Sequence, residues 1–126
     1  MKNGLLADII LYHKLSGLLD RVYPIVAENG TRYPFIIYTR DSVTPNSLTK
    51  DGYAEDEVAV TVKVVSDKYT DAVDYAQRVR EALVYDWTTI SYNQSDLTSQ
   101  CTFTNAYESW EDGAYVQTLT FTMLVA

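Results

Sequence analysis

The chain has 126 residues, 47% of them hydrophobic and 21% charged, which is room for one well-buried core and an ordinary globular balance. Ten basic against 17 acidic residues give a net charge of −7, and no stretch approaches the roughly 20 apolar residues of a membrane span. Every Lys and Arg lies at or before Arg80, while the last 46 residues hold Glu81, Asp86, Asp96, Glu108, Glu111 and Asp112 and no basic side chain, so a domain that grips nucleic-acid phosphates is disfavoured.

Leu5 to Leu19 reads as an amphipathic helix with Leu5, Ile9, Tyr12, Leu15 and Leu18/Leu19 on one stripe and Asn3 as its cap. Gly17 weakens its last turn, and Tyr23-Pro24 opposes continuation beyond Val22. Asp8, His13 and Lys14 interrupt the apolar run, and no small-residue cleavage site follows, so a signal peptide is not expected. A loop, Ile25 to Arg32, leads to Tyr33-Pro34-Phe35-Ile36-Ile37-Tyr38-Thr39-Arg40, an aromatic and β-branched strand with proline tolerable only at its start. Asp41 to Asp56 is polar and is expected as a long loop, the first candidate for meeting a partner.

Between Glu57 and Leu83 the hydrophobic period changes. Val58, Val60, Val62 and Val64 alternate with Ala59, Thr61, Lys63 and Val65, a strand with one buried face. From Tyr69 the apolar positions Tyr69, Ala72, Val73, Ala76, Val79, Ala82 and Leu83 are spaced by threes and fours, a helix stripe, with Ser66-Asp67 as the expected cap and Asp74–Arg78 as an i,i+4 pair. Such a helix of about 15 residues is marginal alone, so it must pack on the strand that feeds it. Thr88 to Tyr92 is expected as a short strand and Asn93 to Ser99 as a loop. Gln100 to Trp110 and Ala114 to Val125 form a hairpin through Glu111-Asp112-Gly113, where glycine supplies a positive φ. Tyr115, Leu119, Phe121, Met123 and Val125 alternate with Ala114, Thr118, Thr120 and Thr122; Cys101, Phe103 and Tyr107 alternate with Thr102, Thr104 and Glu108.

The expected fold is therefore α+β: a mostly antiparallel sheet of about five strands carrying two helices, in the order α-β-β-α-β-β-β, with residues 1–126 as one domain. Little in it points to catalysis. His13 is the only histidine and Cys101 the only cysteine, which excludes an intrachain disulfide. His13 reads as a surface residue, and Cys101 as a packed thiol whose lysine-free surroundings raise its pKa. Asp51 and Glu55-Asp56-Glu57 do not follow the calcium-loop spacing and read as solvated charges ahead of a hydrophobic strand. Phosphate-loop, nucleophile-elbow and zinc motifs are absent. No catalytic residue, metal ligand or cofactor is expected. Eleven tyrosines and two tryptophans suit surfaces that are half apolar and half wet, although many would serve simply as strand residues.

The succession Arg21-Val22-Tyr23-Pro24, Tyr33-Pro34-Phe35-Ile36-Ile37-Tyr38, an alternating valine strand ending Ser66-Asp67, Tyr69-Thr70-Asp71-Ala72 and Val79-Arg80-Glu81-Ala82-Leu83 resembles the small tail-completion (tail-terminator, head-tail joining) proteins of long-tailed bacteriophages and prophages. The likeness covers residues 5–85. It implies a non-enzymatic virion protein, made in the host cytoplasm, that forms a homo-oligomeric ring, commonly a hexamer, on the head-proximal end of the tail. Its partners would be other copies of itself, the tail-tube protein and the head connector protein, with no membrane and with DNA passing through without specific binding. Val43, Pro45, Leu48, Tyr53 and Glu55 are the candidate oligomer or partner interface, and Glu108, Glu111 and Asp112 the candidate lumen-facing acids. The alternatives are a small ligand-binding or enzymatic α+β domain, or an adaptor that binds a protein through the 41–56 loop.

Overall fold

The computed structural model describes residues 3–45 and 55–126, together with the backbone alone at 48–49 and 52–53. A 3-10 turn, Gly4–Leu6, runs into α1 (Ala7–Leu15); then come β1 (Val22–Pro24), β2 (Phe35–Pro45), β3 (Leu48–Thr49), β4 (Gly52–Tyr53), β5 (Asp56–Ser66), α2 (Tyr69–Leu83), β6 (Tyr85–Tyr92), β7 (Ser95–Glu111) and β8 (Ala114–Val125). The main sheet has the order β1-β2-β5-β8-β7-β6, parallel between β1 and β2 and antiparallel elsewhere. The α+β class is as expected, but the sheet has six strands rather than five. The additional one, β1, spans three residues and ends on Pro24, too short to show a period of two.

One sheet face carries both helices. Val58, Val60, Val62 and Val64 of β5 lie beside Met123, Phe121, Leu119 and Gln117 of β8, and Ala76, Val79 and Leu83 of α2 close over that core. Each of these valines is at most 1% exposed, and burying such a side chain is worth roughly 1.5–3 kcal/mol. Within α2 the buried positions are Ala72, Ala76, Val79 and Leu83, while Tyr69 and Val73 at the first turns are exposed. The helix begins at Tyr69 as expected, but the residue that caps it is Lys68 rather than Ser66-Asp67: Lys68 is the extended residue before it, and Ser66 Oγ accepts a hydrogen bond from the Lys68 N–H at 3.2 Å. Arg78 lies over the Tyr75 ring, 5.0 Å from its centroid, in place of the expected pairing with Asp74.

For α1 the expected stripe has the wrong phase. Ala7, Ile10, Leu11 and Leu15 are buried, whereas Leu5 and Tyr12 are exposed. Ile9, Ile10, Leu11 and Tyr12 surround the helix with apolar side chains, so the sequence does not mark the inward side. Asn3 does not cap it; its Nδ2 donates instead to the Ala126 carbonyl at 3.0 Å.

The other sheet face is rich in hydroxyls. Thr39, Thr61 and Thr120 line up across β2, β5 and β8, with Thr118 and Thr122 on the same face of β8. At one end of that face Val65, Ala114, Val116 and Phe35 form a small second cluster. Both closing turns place two consecutive residues at positive φ: Asn93 and Gln94 (49° and 63°) between β6 and β7, and Asp112 and Gly113 (50° and 80°) between β7 and β8. Two such residues match the twist of the flanking strands. The second turn is as expected; the first replaces an expected loop at 93–99, so that Ser95–Ser99 is already strand.

Candidate assembly surfaces

The expected 41–56 loop is largely the outer part of a hairpin. Strands β2 and β5 stay paired out to Pro45 opposite Asp56, and β3 and β4 carry the pairing on with Leu48 opposite Tyr53. A bulge at Asp41 shifts the register within β2, beyond which Val43 and Pro45 still pair with the buried Val58 and Asp56. Of the residues expected to meet partners, Pro45 is exposed and Glu55 half-buried and engaged. Val43 packs against the core. The side chains of Leu48 and Tyr53 lie outside the described residues, as does Asp51.

Asp56 is not a solvated charge. It is 6% exposed, and its Oδ2 accepts the buried Gly4 N–H at 2.9 Å, capping the 3-10 turn that starts the first helix. A carboxylate 52 residues along the chain thus fastens the first turn to the base of the arm, a contact that local sequence pattern does not disclose.

The acids assigned to a lumen separate. A bulge at Thr104 shifts the phase of β7, so Ala106, Glu108 and Trp110 point to the helix side beside Leu119, Gln117 and Tyr115. Tyr107 consequently moves to the hydroxyl face opposite Thr118, reversing the expected assignment of Tyr107 and Glu108. Glu108 Oε2 accepts from Tyr69 Oη and from Gln117 Nε2, each at 2.8 Å. These bonds, Gln117 first and Tyr69 second, hold its carboxyl below the usual glutamate range. Because the folded pKa is depressed, whatever the contact adds to stability is present above the unfolded glutamate range and lost as pH falls through the lowered value. Trp110 packs edge-on against Tyr115 with centroids 4.8 Å apart, and Tyr69 meets Tyr115 at 5.5 Å. These side chains surround a hollow of about 200 Å³ at the end of the β7–β8 hairpin. Glu111, on the opposite face, accepts from Ser109 Oγ at 2.7 Å, and Asp112 occupies the turn.

A second hollow of about 210 Å³ lies on the hydroxyl face between Tyr33, Phe35, Lys63 and Val116, with Glu111 and Asp112 at its rim. Strand β6 is the free edge next to β7, and most of its side chains, Trp87 among them, are exposed. His13 is exposed on α1. Cys101 is 1% exposed and its thiol is pushed up to about 12 by burial, against the opposing charge of Lys14. The rise thus comes from burial rather than from a lysine-free setting. Among the described residues no group of three metal-ligating side chains converges, and no helix is long and apolar enough to cross a membrane.

A two-faced sheet with one open face, an extended hairpin arm and an aromatic, acidic end patch has the parts of a structural protein that meets other proteins. The chain belongs to the family of the tail completion protein gp17, which it matches over residues 12–126. The match runs through the closing strands, beyond the residue-85 limit of the resemblance read from local patterns. No curated protein matches it. Its fold is similar to that of a chain in the virion of a native gene transfer agent particle, with a TM-score of 0.62 at 17% identity over 98% of this chain and 89% of that one. The protein is thus a structural component of a phage-type virion tail, and as such it contacts other virion proteins; the family points to a structural rather than a catalytic role.

Proposed function

We propose that the protein, acting as one domain over residues 1–126, caps the tail tube as a homo-oligomeric ring and joins the tube to the head. The family match over residues 12–126 is the observation that carries this reading. Six copies are the first expectation. Two unlike sheet edges, the short parallel β1 and the longer β6, support a head-to-tail arrangement, because such contacts join different patches of neighbouring copies and close when the rotation between them allows. The arm that carries Val43, Pro45, Leu48, Tyr53 and Glu55 is proposed to reach the adjoining copy or the tail-tube protein, with the head connector protein on the other side. In electron micrographs, purified tail tubes incubated with the protein should acquire a cap at one end and stop elongating. Tubes that keep growing at an unchanged rate would refute the capping role.

We also propose that Glu111 and Asp112 present negative charge to the channel, with Glu108 on the other face of the same hairpin end, so that DNA slides past without sticking. Glu111→Lys with Asp112→Lys is the cleaner test, since Glu108 also holds Tyr69 and Gln117. Particles assembled with the double variant should deliver DNA poorly while their tails keep normal length. Normal delivery would count against a charged lumen at these positions.

A further inference from the structure

The aromatic hollow beside Glu108 has the chemistry of a guanidinium receptor. Trp110 and Tyr69 are 60% and 46% exposed, so their rings are open to a ligand, while Tyr115 beneath them keeps both in place. Glu108 spends Oε2 on Tyr69 and Gln117, and Oε1 has no partner among the described residues. An oriented carboxylate oxygen beside aromatic faces suits a planar cation that can stack and donate at once, which describes arginine better than lysine. Among the described residues no cation of the same chain occupies the site.

The matching ligand is on the same polypeptide, elsewhere on its surface. Of the described arginines, Arg21 donates to the Pro34 carbonyl and meets Asp20, and Arg40 donates to the Leu5 carbonyl and lies 3.7 Å from Asp8. Arg78 covers Tyr75, and Arg80 covers Phe103 at 4.2 Å. Arg32 alone among them is exposed and without an interaction. It stands just before β2, near the β1 edge, whereas the hollow belongs to β7, β8 and the start of α2. An unfilled receptor and an uncommitted ligand on different parts of one chain are the two halves of a head-to-tail contact.

We propose that Arg32 of one copy enters the Tyr69–Glu108–Trp110 hollow of the next. This rests on the ring reading above and names one of its subunit contacts. Glu108 then stands at the seam between neighbours, leaving Glu111 and Asp112 to face the channel. Salt should weaken the contact, because part of it is an exposed charge pair.

Sedimentation velocity over a concentration series tests it with the full chain and three variants, Arg32→Ala, Trp110→Ala and Glu108→Gln, each first checked for an unchanged thermal melt. The wild type should associate, and each variant should associate at least about tenfold more weakly, as loss of a stacked and charge-assisted contact implies. Arg32→Ala mixed with Trp110→Ala should give one-to-one dimers that grow no further, since each brings one intact patch and the remaining patches are both damaged. Glu108→Gln keeps the packing if Trp110→Ala melts early, and mixed with Arg32→Ala it should behave in the same way. Arg32→Ala assembling like the wild type, or mixed variants remaining monomeric, would overturn the contact. Should the wild type stay monomeric in solution, the variants are compared on tail tubes. Undiminished capping by Arg32→Ala there overturns the contact and leaves capping standing, while failure of the wild type to cap overturns both.

Discussion

Gly4→Ala should destabilise the protein by about 1–3 kcal/mol, an effect out of proportion to one methyl group near the beginning of the chain. A Cβ at Gly4 would lie 2.5 Å from Asp56 Oδ2, 2.6 Å from Asp56 Cβ and 2.7 Å from Val43 Cγ1. The carboxylate could swing away only by giving up the Gly4 N–H, and Asp56 Cβ is fixed because its backbone is paired on both sides, to Pro45 and to Val125. Asp56→Ala should cost a similar amount, about 1–3 kcal/mol, by leaving the buried amide without an acceptor. Asp56→Asn retains an acceptor and should cost less. In the double variant, alanine at 56 removes the oxygens but keeps Cβ, so the two costs should add incompletely. Urea unfolding read as midpoint and slope measures all four. Gly4→Ala within about 0.3 kcal/mol of the parent would show that the first turn is not pinned to the arm as described.

This knot also marks the boundary of what the sequence discloses. Strand β5 and helix α2 are legible because each is covered on one side only: Val58 to Val64 alternate along the strand, and Ala72, Ala76, Val79 and Leu83 recur along the helix. Where both sides of an element meet similar surroundings the pattern fails. Helix α1 is apolar nearly all round, and the outer part of β2, from Asp41 to Pro45, loses its alternation at the bulge and is exposed except at Val43. Ser99 reads as loop, yet it is 2% exposed and bonded to Tyr85 Oη at 2.7 Å, a part-buried polar pair that hydropathy cannot separate from a turn.

Surface chemistry was legible as composition and not as geometry. The acids at Glu108, Glu111 and Asp112 stand out in a region with no basic residue, but one extra residue at Thr104 decides which of them joins the aromatic patch. A bulge leaves no reliable mark in a run of threonines and aromatics, and its effect is to exchange the faces of every residue after it. Tyr69 completes the patch from 39 residues away, through the start of a helix rather than through the hairpin itself.

The largest single loss should come from the sheet centre. Phe121 is 1% exposed, lies between Val60 and Phe103 in adjoining strands, and meets the Phe103 ring edge-on at 5.7 Å. Phe121→Ala should cost about 3–5 kcal/mol, the lost burial plus the cavity left behind, because strands paired on both sides cannot close around it. Its neighbour Thr120 points to the open face, where its hydroxyl donates to the Asn105 carbonyl at 3.2 Å, and Thr120→Ala should change stability by no more than about 0.5 kcal/mol. For a domain with a total stability of about 5–15 kcal/mol, the first substitution removes a large share of the folded population's margin, and the second leaves it intact. The proposed capping of tail tubes should therefore decline with Phe121→Ala as temperature rises and persist with Thr120→Ala. A Phe121→Ala cost below about 1 kcal/mol in thermal and urea unfolding would mean that the β5–β8–β7 core is not the scaffold on which the arm and the aromatic patch are mounted.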